Sequence, residues 1–173
     1  FQTKVGLELI KRGVDAIWVG DDFGSQTSLL FSADMFRELV KPHYVKMVQA
    51  FKAANPAIIP ILHCDGAVKA LLDDIKDIGF DIFNPVQPGV PGHSSEELKQ
   101  EFGGKFAFWG AIDQQELLPK GTDAELERDI VEKITHLGKG GGYMIAPAHI
   151  IQSDVSPARV EKFIELCLKH GRY

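Results

Sequence analysis

Five times along this chain a short apolar run ends in polar or reactive residues, and a glycine usually stands just before the run begins. Val14-Asp15-Ala16-Ile17-Trp18-Val19 leads into Gly20-Asp21-Asp22, and Ile58-Ile59-Pro60-Ile61-Leu62 leads into His63-Cys64-Asp65-Gly66. Asp81-Ile82-Phe83 leads into Asn84-Pro85-Val86-Gln87, Phe106-Ala107-Phe108-Trp109 into Gly110-Ala111-Ile112-Asp113, and Tyr143-Met144-Ile145-Ala146 into Pro147-Ala148-His149. Strands of a parallel sheet are covered on both faces and read as continuous apolar runs, with helices as the return connections. In such sheets chemistry collects at the carboxyl ends of the strands, where the βα loops open.

The segments between these runs read as helices. Residues 1–13 form an amphipathic helix entered partway, with Val5, Leu9 and Ile10 on one face and Gly13 at its end. They include no initiator Met and no clear N-cap, so the chain is expected to be a fragment. Ser32 is the N-cap of a helix that Pro42 ends or kinks, and Tyr44, Val45, Val48 and Phe51 continue an apolar stripe to Asn55-Pro56. A further helix spans about residues 68–78 and closes on Gly79. Ser94 with Glu97 and Thr122 with Glu125 are capping-box patterns, and Ser156-Pro157 opens the last helix. No linker or low-complexity tract interrupts the sequence, so residues 1–173 are expected to be a single domain.

Two architectures fit five strand-helix repeats: an open doubly wound sheet, or part of a (β/α)8 barrel. No Gly-x-Gly-x-x-Gly follows the first strand, which disfavours dinucleotide binding. A full barrel needs roughly 250 residues, so the expected fold is a partial barrel.

Composition removes other classes. A net charge of -5 with no basic stripe argues against nucleic acid, and no apolar stretch is long enough to span a membrane. Two cysteines, Cys64 and Cys167, supply no disulfide framework, so the expected compartment is the cytoplasm.

The candidate site follows from which end of a strand each residue occupies. Gly140-Gly141-Gly142 precedes a strand, so it is expected to be a turn rather than a phosphate cradle. His63 and Asp65 follow a strand and are two apart, so extended backbone projects them to one side and Cys64 to the other. His149 lies at the matching end of the last strand. Two imidazoles and a carboxylate converging on one rim make a divalent-metal site, most simply Zn²⁺. The plain alternative is hydrogen bonding at strand ends. Asp21, Asp22, Asn84, Gln87 and Asp113 place further polar groups on the same rim. Asp21 and Asp22 could act as base, metal ligand or substrate anchor, or simply bond to loop amides; Asp113 could equally cap the turn after it. Cys64 is expected to be buried and Cys167 to be core, while His43, His93, His136 and His170 are expected on the surface or at caps.

At these strand ends the chain resembles the uroporphyrinogen decarboxylase superfamily, especially its branch of corrinoid-dependent methyltransferases. The resemblance rests on Asp21-Asp22-Phe23-Gly24, Leu62-His63-Cys64-Asp65-Gly66, Gly79-Phe80-Asp81-Ile82-Phe83-Asn84-Pro85-Val86-Gln87, Phe108-Trp109-Gly110-Ala111-Ile112-Asp113, Leu118-Pro119-Lys120-Gly121-Thr122, and Gly141-Gly142-Tyr143 through Pro147-Ala148-His149. It implies a (β/α)8 barrel of roughly twice this length, with this chain supplying about strands four to eight. In the methyltransferase branch a His-x-Cys pair and a later Cys hold zinc, which activates an acceptor thiol for transfer from methylcobalamin. The equivalent positions are His63, Asp65 and His149, so both sulfur ligands are replaced by harder donors.

What the resemblance implies is therefore a metal-dependent methyltransferase acting on a small substrate with a partner corrinoid protein. His63, Asp65 and His149 are the expected metal ligands, Asp21 and Asp113 the catalytic residues, and Asp22, Asn84 and Gln87 the substrate-binding groups. The sister expectation is a metal-free uroporphyrinogen decarboxylase of tetrapyrrole biosynthesis. A third is a non-catalytic half-barrel whose open edges pair in a homodimer.

Overall fold

A computed structural model of the chain describes residues 1–171. Its elements alternate as the apolar runs imply: α1 (Gln2–Lys11), β1 (Ala16–Gly20), α2 (Ala33–Met35), a π-helical turn (Phe36–Val40), α3 (Lys41–Ala54), β2 (Ile59–His63), a 3-10 turn (Lys69–Leu71), α4 (Leu72–Ile78) and β3 (Ile82–Val86). Then follow α5 (Ser95–Phe102), β4 (Ala107–Ile112), α6 (Leu117–Lys120), α7 (Asp123–Leu137), β5 (Tyr143–Pro147) and α8 (Pro157–His170). The strands form one sheet in the sequential order β1-β2-β3-β4-β5, the order of a barrel segment rather than of a doubly wound sheet. The fold is α/β, with five parallel strands of a partial (β/α)8 barrel. The chain divides into two compact units, Phe1–Asn84 and the residues from Pro85 onward.

In the first unit β1 and β2 pair in parallel with Gly20 opposite His63, and β2 pairs β3 with His63 opposite Asn84. Ile17 and Val19 of β1 are buried, whereas Trp18 between them is 58% exposed and lies on the face shared by the strand-end residues. Phe36, Phe51, Ile58, Leu62, Leu71, Leu72 and Ile75 are fully or nearly fully buried. The inward face of α1 is Gly6 and Ile10, not Val5 and Leu9, which remain exposed. Gly6 has no side chain, so the Phe51 ring occupies the space where one would lie.

Of the two outcomes expected at Pro42, the helical path is distorted rather than ended. The proline occupies the first turn of α3, and the π-helical turn precedes it, with Lys41 N–H donating to Phe36 O. A proline lacks the donor that a regular ladder needs, and widening the preceding turn accommodates that loss. Asp74 of α4 is buried beneath this junction, where it accepts from Arg37 Nε at 3.0 Å and Lys41 Nζ at 2.8 Å.

The second unit packs α6, α7 and α8 against β4 and β5 around Ile112, Leu118, Leu126, Ile130, Val155, Phe163 and Leu166. Cys167 is half-buried against this cluster. The expected caps form: Ser32, Ser94, Thr122 and Ser156 each accept from the third amide of their helix, and Thr122 with Glu125 completes a capping box. Gly79 closes α4 at φ +106, and Gly140, Gly141 and Gly142 all take positive φ in the turn before β5. His93 departs from expectation: it is buried at 5% exposure in the Pro- and Gly-rich loop before α5.

Candidate metal centre

His63 is the last residue of β2 and Asn84 stands beside it on β3. The pair is clamped by the backbone, since Cys64 N–H donates to Asn84 O at 2.7 Å. Their side chains meet on the same face, with His63 Nδ1 2.7 Å from Asn84 Oδ1. The other ring nitrogen, Nε2, lies 3.3 Å from Asp65 Oδ2. The imidazole pKa is raised by hydrogen bonding to Asp65, against the opposing effect of burial, with Asn84 adding to the rise. Trp18 meets the ring edge-on, with centroids 5.1 Å apart and planes at 89°.

Asp65 is positioned from two sides. Its backbone N–H donates to Asp22 Oδ1 at 2.9 Å, and Gly66 follows it at φ +89. A Cβ on Gly66 would lie 2.5 Å from the carbonyl carbon of Gly24, so only glycine lets the β1 loop cross so closely over this turn. Cys64 points to the opposite side, as alternation requires, and is fully buried with Phe23 N–H donating to its Sγ at 3.3 Å. Burial pushes its thiol pKa up to about 12, as expected of a thiol packed in the core away from His63 and Asp65. Asp21 turns elsewhere: its Oδ2 accepts from the Tyr44 hydroxyl at 2.8 Å. The Tyr44 pKa is raised by burial and by this carboxylate.

The His63 Nε2–Asp65 Oδ2 separation of 3.3 Å lies within hydrogen-bond reach and also within the spacing of two ligands on one ion. A direct hydrogen bond between the same group types occurs elsewhere in this chain, where His170 Nε2 lies 2.7 Å from Glu127 Oε1. Two donors bound about 2.0–2.2 Å from one tetrahedral ion lie about 3.3–3.6 Å apart. The 3.3 Å separation has that edge length, and nitrogen with carboxylate oxygen suits a zinc-like cation. His63 and Asp65 thus offer donor types that suit a metal.

The second unit holds the remaining expected site residues. His149 is exposed after β5, and Ala148 N–H donates to Ile112 O at 2.9 Å, fixing the end of β5 to that of β4. Asp113 follows β4, and its Oδ1 accepts from the amides of Gln115 at 2.8 Å and Glu116 at 3.2 Å. Gln87 follows β3 and is 9% exposed. Thus His63, Asp65, Asn84 and Asp22 form one network, and Asp21 belongs to a separate contact with Tyr44. Trp18 and Tyr44 were not anticipated. Trp18 was legible by parity, two residues before Gly20 on the rim-facing side of β1, whereas Tyr44 comes from a helix whose stripe signals only packing.

A strand-helix repeat with polar residues at the carboxyl ends of strands defines an α/β scaffold of the barrel class. The chain belongs to the uroporphyrinogen decarboxylase (URO-D) family, whose model matches residues 2–170. It is similar to the uroporphyrinogen decarboxylases of two strains of Thermus thermophilus, at 28% and 27% identity over 157 residues. Each match covers 90% of this chain and 42% of the relative, so the chain spans less than half the length of these proteins. A methyltransferase from Methanosarcina mazei has the same fold at a TM-score of 0.78 and 20% identity, over 99% of this chain and 47% of the neighbour. Among the described residues no helix is long and apolar enough to cross a membrane.

Proposed function

We propose that this chain supplies the metal-binding part of a URO-D family enzyme. The enzyme moves a methyl group between a small substrate and a corrinoid on a partner protein, or from that corrinoid to a thiol. His63, Asp65 and His149 are the metal ligands in this reading, offering two imidazole nitrogens and one carboxylate oxygen. The observation that carries it is the 3.3 Å gap between His63 Nε2 and Asp65 Oδ2, beside the 2.7 Å contact at Nδ1. A zinc ion bound by this donor set supplies positive charge that lowers the pKa of a coordinated thiol. Asn84 fixes the His63 ring, Asp22 fixes Asp65 through its amide, and Trp18 covers one edge of the imidazole. In this reading Asp21, oriented by Tyr44, accepts a proton, and Asp113 and Gln87 are substrate-positioning residues.

Elemental analysis of the purified chain tests this reading. One equivalent of zinc, lost in His63→Ala, is the expected result; a chain that stays metal-free after zinc saturation overturns it. Zinc affinity is also expected to fall as pH is lowered, because Nε2 must be unprotonated to bind.

Decarboxylation of a uroporphyrinogen-like tetrapyrrole is the second reading, favoured by the Thermus relatives named as uroporphyrinogen decarboxylases. Metal-free protein that consumes uroporphyrinogen, with its activity unaffected by chelators, supports that reading instead.

A further inference from the structure

We infer that this chain pairs head to tail with a second copy of itself: the α1–β1 edge of one copy takes the β5–α8 edge of the other. The inference does not depend on the metal reading, because no side chain it uses is a ligand there.

The sequential strand order leaves β1 and β5 as the two edges of the sheet, each five residues long. A strand edge is a row of backbone donors and acceptors ready to pair with another chain. Laying β1 of one copy beside β5 of another keeps the parallel direction that both strands already share with their neighbours. Each copy carries both kinds of edge. Two copies can therefore satisfy both edges at once, which is how a heterologous contact closes instead of growing into a filament.

The helices beside these edges carry matching exposed stripes. Val5 and Leu9 on α1 lie one turn apart and are exposed, as are Ile164 and Leu168 on α8. Single exposed apolar residues need no explanation, but here two such pairs flank the two open edges. A groove of about 160 Å³ lies between α1 and β1, walled by Val5, Leu9, Ile17, Val19 and Phe51. An apolar cavity of ~150 Å³ holds a benzene ring, so the groove has room for one large side chain from the second copy's α8. On the strands themselves, Trp18 of β1 and Met144 of β5 are exposed, and sulfur against an aromatic ring is a favourable contact.

Charge selects the same arrangement. Lys4, Lys11 and Arg12 outnumber Glu8 on α1 and its cap, whereas Glu161 and Glu165 stand within a turn of Ile164 and Leu168. Lys169 of α8 turns to Glu127 on α7 at 2.7 Å, and Lys162 lies 2.6 Å from Glu165. Pairing α1 with α1, or α8 with α8, brings like signs together, so the head-to-tail contact is favoured. Length also points to a second copy. The Methanosarcina mazei neighbour matches 99% of this chain with 47% of its own, so the rest of that fold amounts to about one more chain of this size.

Sedimentation equilibrium of the full chain tests the inference. Twice the chain mass is the expected result; a monomer at all concentrations, or a ladder of larger species, overturns it. Val5→Lys with Leu9→Lys, and separately Ile164→Glu with Leu168→Glu, alter stripes that are already exposed, so both double variants are expected to fold. Each alone is expected to weaken self-association by more than about tenfold. An equimolar mixture of the two is expected to recover association, because one contact joins unaltered stripes and the other joins opposite charges. A dimer indifferent to both double variants, or a mixture that stays monomeric, overturns the head-to-tail contact. Where a double variant does not fold, amide hydrogen exchange of the parent decides. Protection along β1 and β5 is expected to rise with protein concentration, and protection independent of concentration overturns the inference.

Discussion

Gly66 illustrates how a single residue sets the site. Its φ of +89 places the Asp65 backbone where Asp22 can take the amide proton, and Gly24 crosses directly above it. Alanine at position 66 meets backbone atoms on both counts, so Gly66→Ala is expected to cost more than about 2 kcal/mol in urea unfolding. Asp74 is a second residue with a sharp expectation. Burial pushes its pKa up, but the hydrogen bonds from Arg37 and Lys41 outweigh this and leave it lowered. A carboxyl group with a depressed native pKa stabilises the fold above its unfolded value, near 3.9, and loses that contribution as pH falls toward the native value. The parent is therefore expected to lose stability more steeply than Asp74→Asn below about pH 4. At neutral pH, Asp74→Asn is expected to be less stable by about 2 kcal/mol. That is less than the ~3–5 kcal/mol of a fully buried pair, because the Arg37 partner is half exposed and screened.

At the scale of elements, Arg159 on α8 joins three pieces of the second unit. Its guanidinium donates to the carbonyls of Leu117, Leu118 and Thr122 and lies 2.6 Å from Asp123 Oδ1, satisfying the end of α6 and the start of α7 together. Arg159→Met leaves those carbonyls without this donor and is expected to cost about 2–3 kcal/mol by chemical denaturation. Arg159→Lys is expected to recover less than half of that, since an ammonium cannot reproduce the planar fork. Most element boundaries were legible beforehand. Ser32, Ser94, Thr122, Ser156 and Gly79 act within a few residues of their own position, so their roles follow from local spacing. Pro42 was legible only as ending or kinking its helix: which of the two a proline does depends on whether the turn before it can widen.

For the molecule as a whole, zinc provides the broadest test of the proposed function. A ligand that binds only the native state at 100 times its Kd adds about 2.7 kcal/mol. The melting temperature is therefore expected to rise with zinc in the parent and to stay unchanged in His63→Ala; a parent curve indifferent to zinc counts against the metal centre. The strand-helix alternation, the rim location of the polar residues and the opposite facing of His63 and Cys64 were all determined by the sequence itself. They arise from short-range periodicities of two and 3.6 residues that need no knowledge of distant partners. Tertiary structure alone decided that Asn84 serves His63, that Asp22 serves the Asp65 amide, that Asp21 is held by Tyr44 and that Trp18 covers the imidazole. Those choices join residues 21 to 45 positions apart, and they depend on strand register and loop crossing, which local patterns along a chain do not encode.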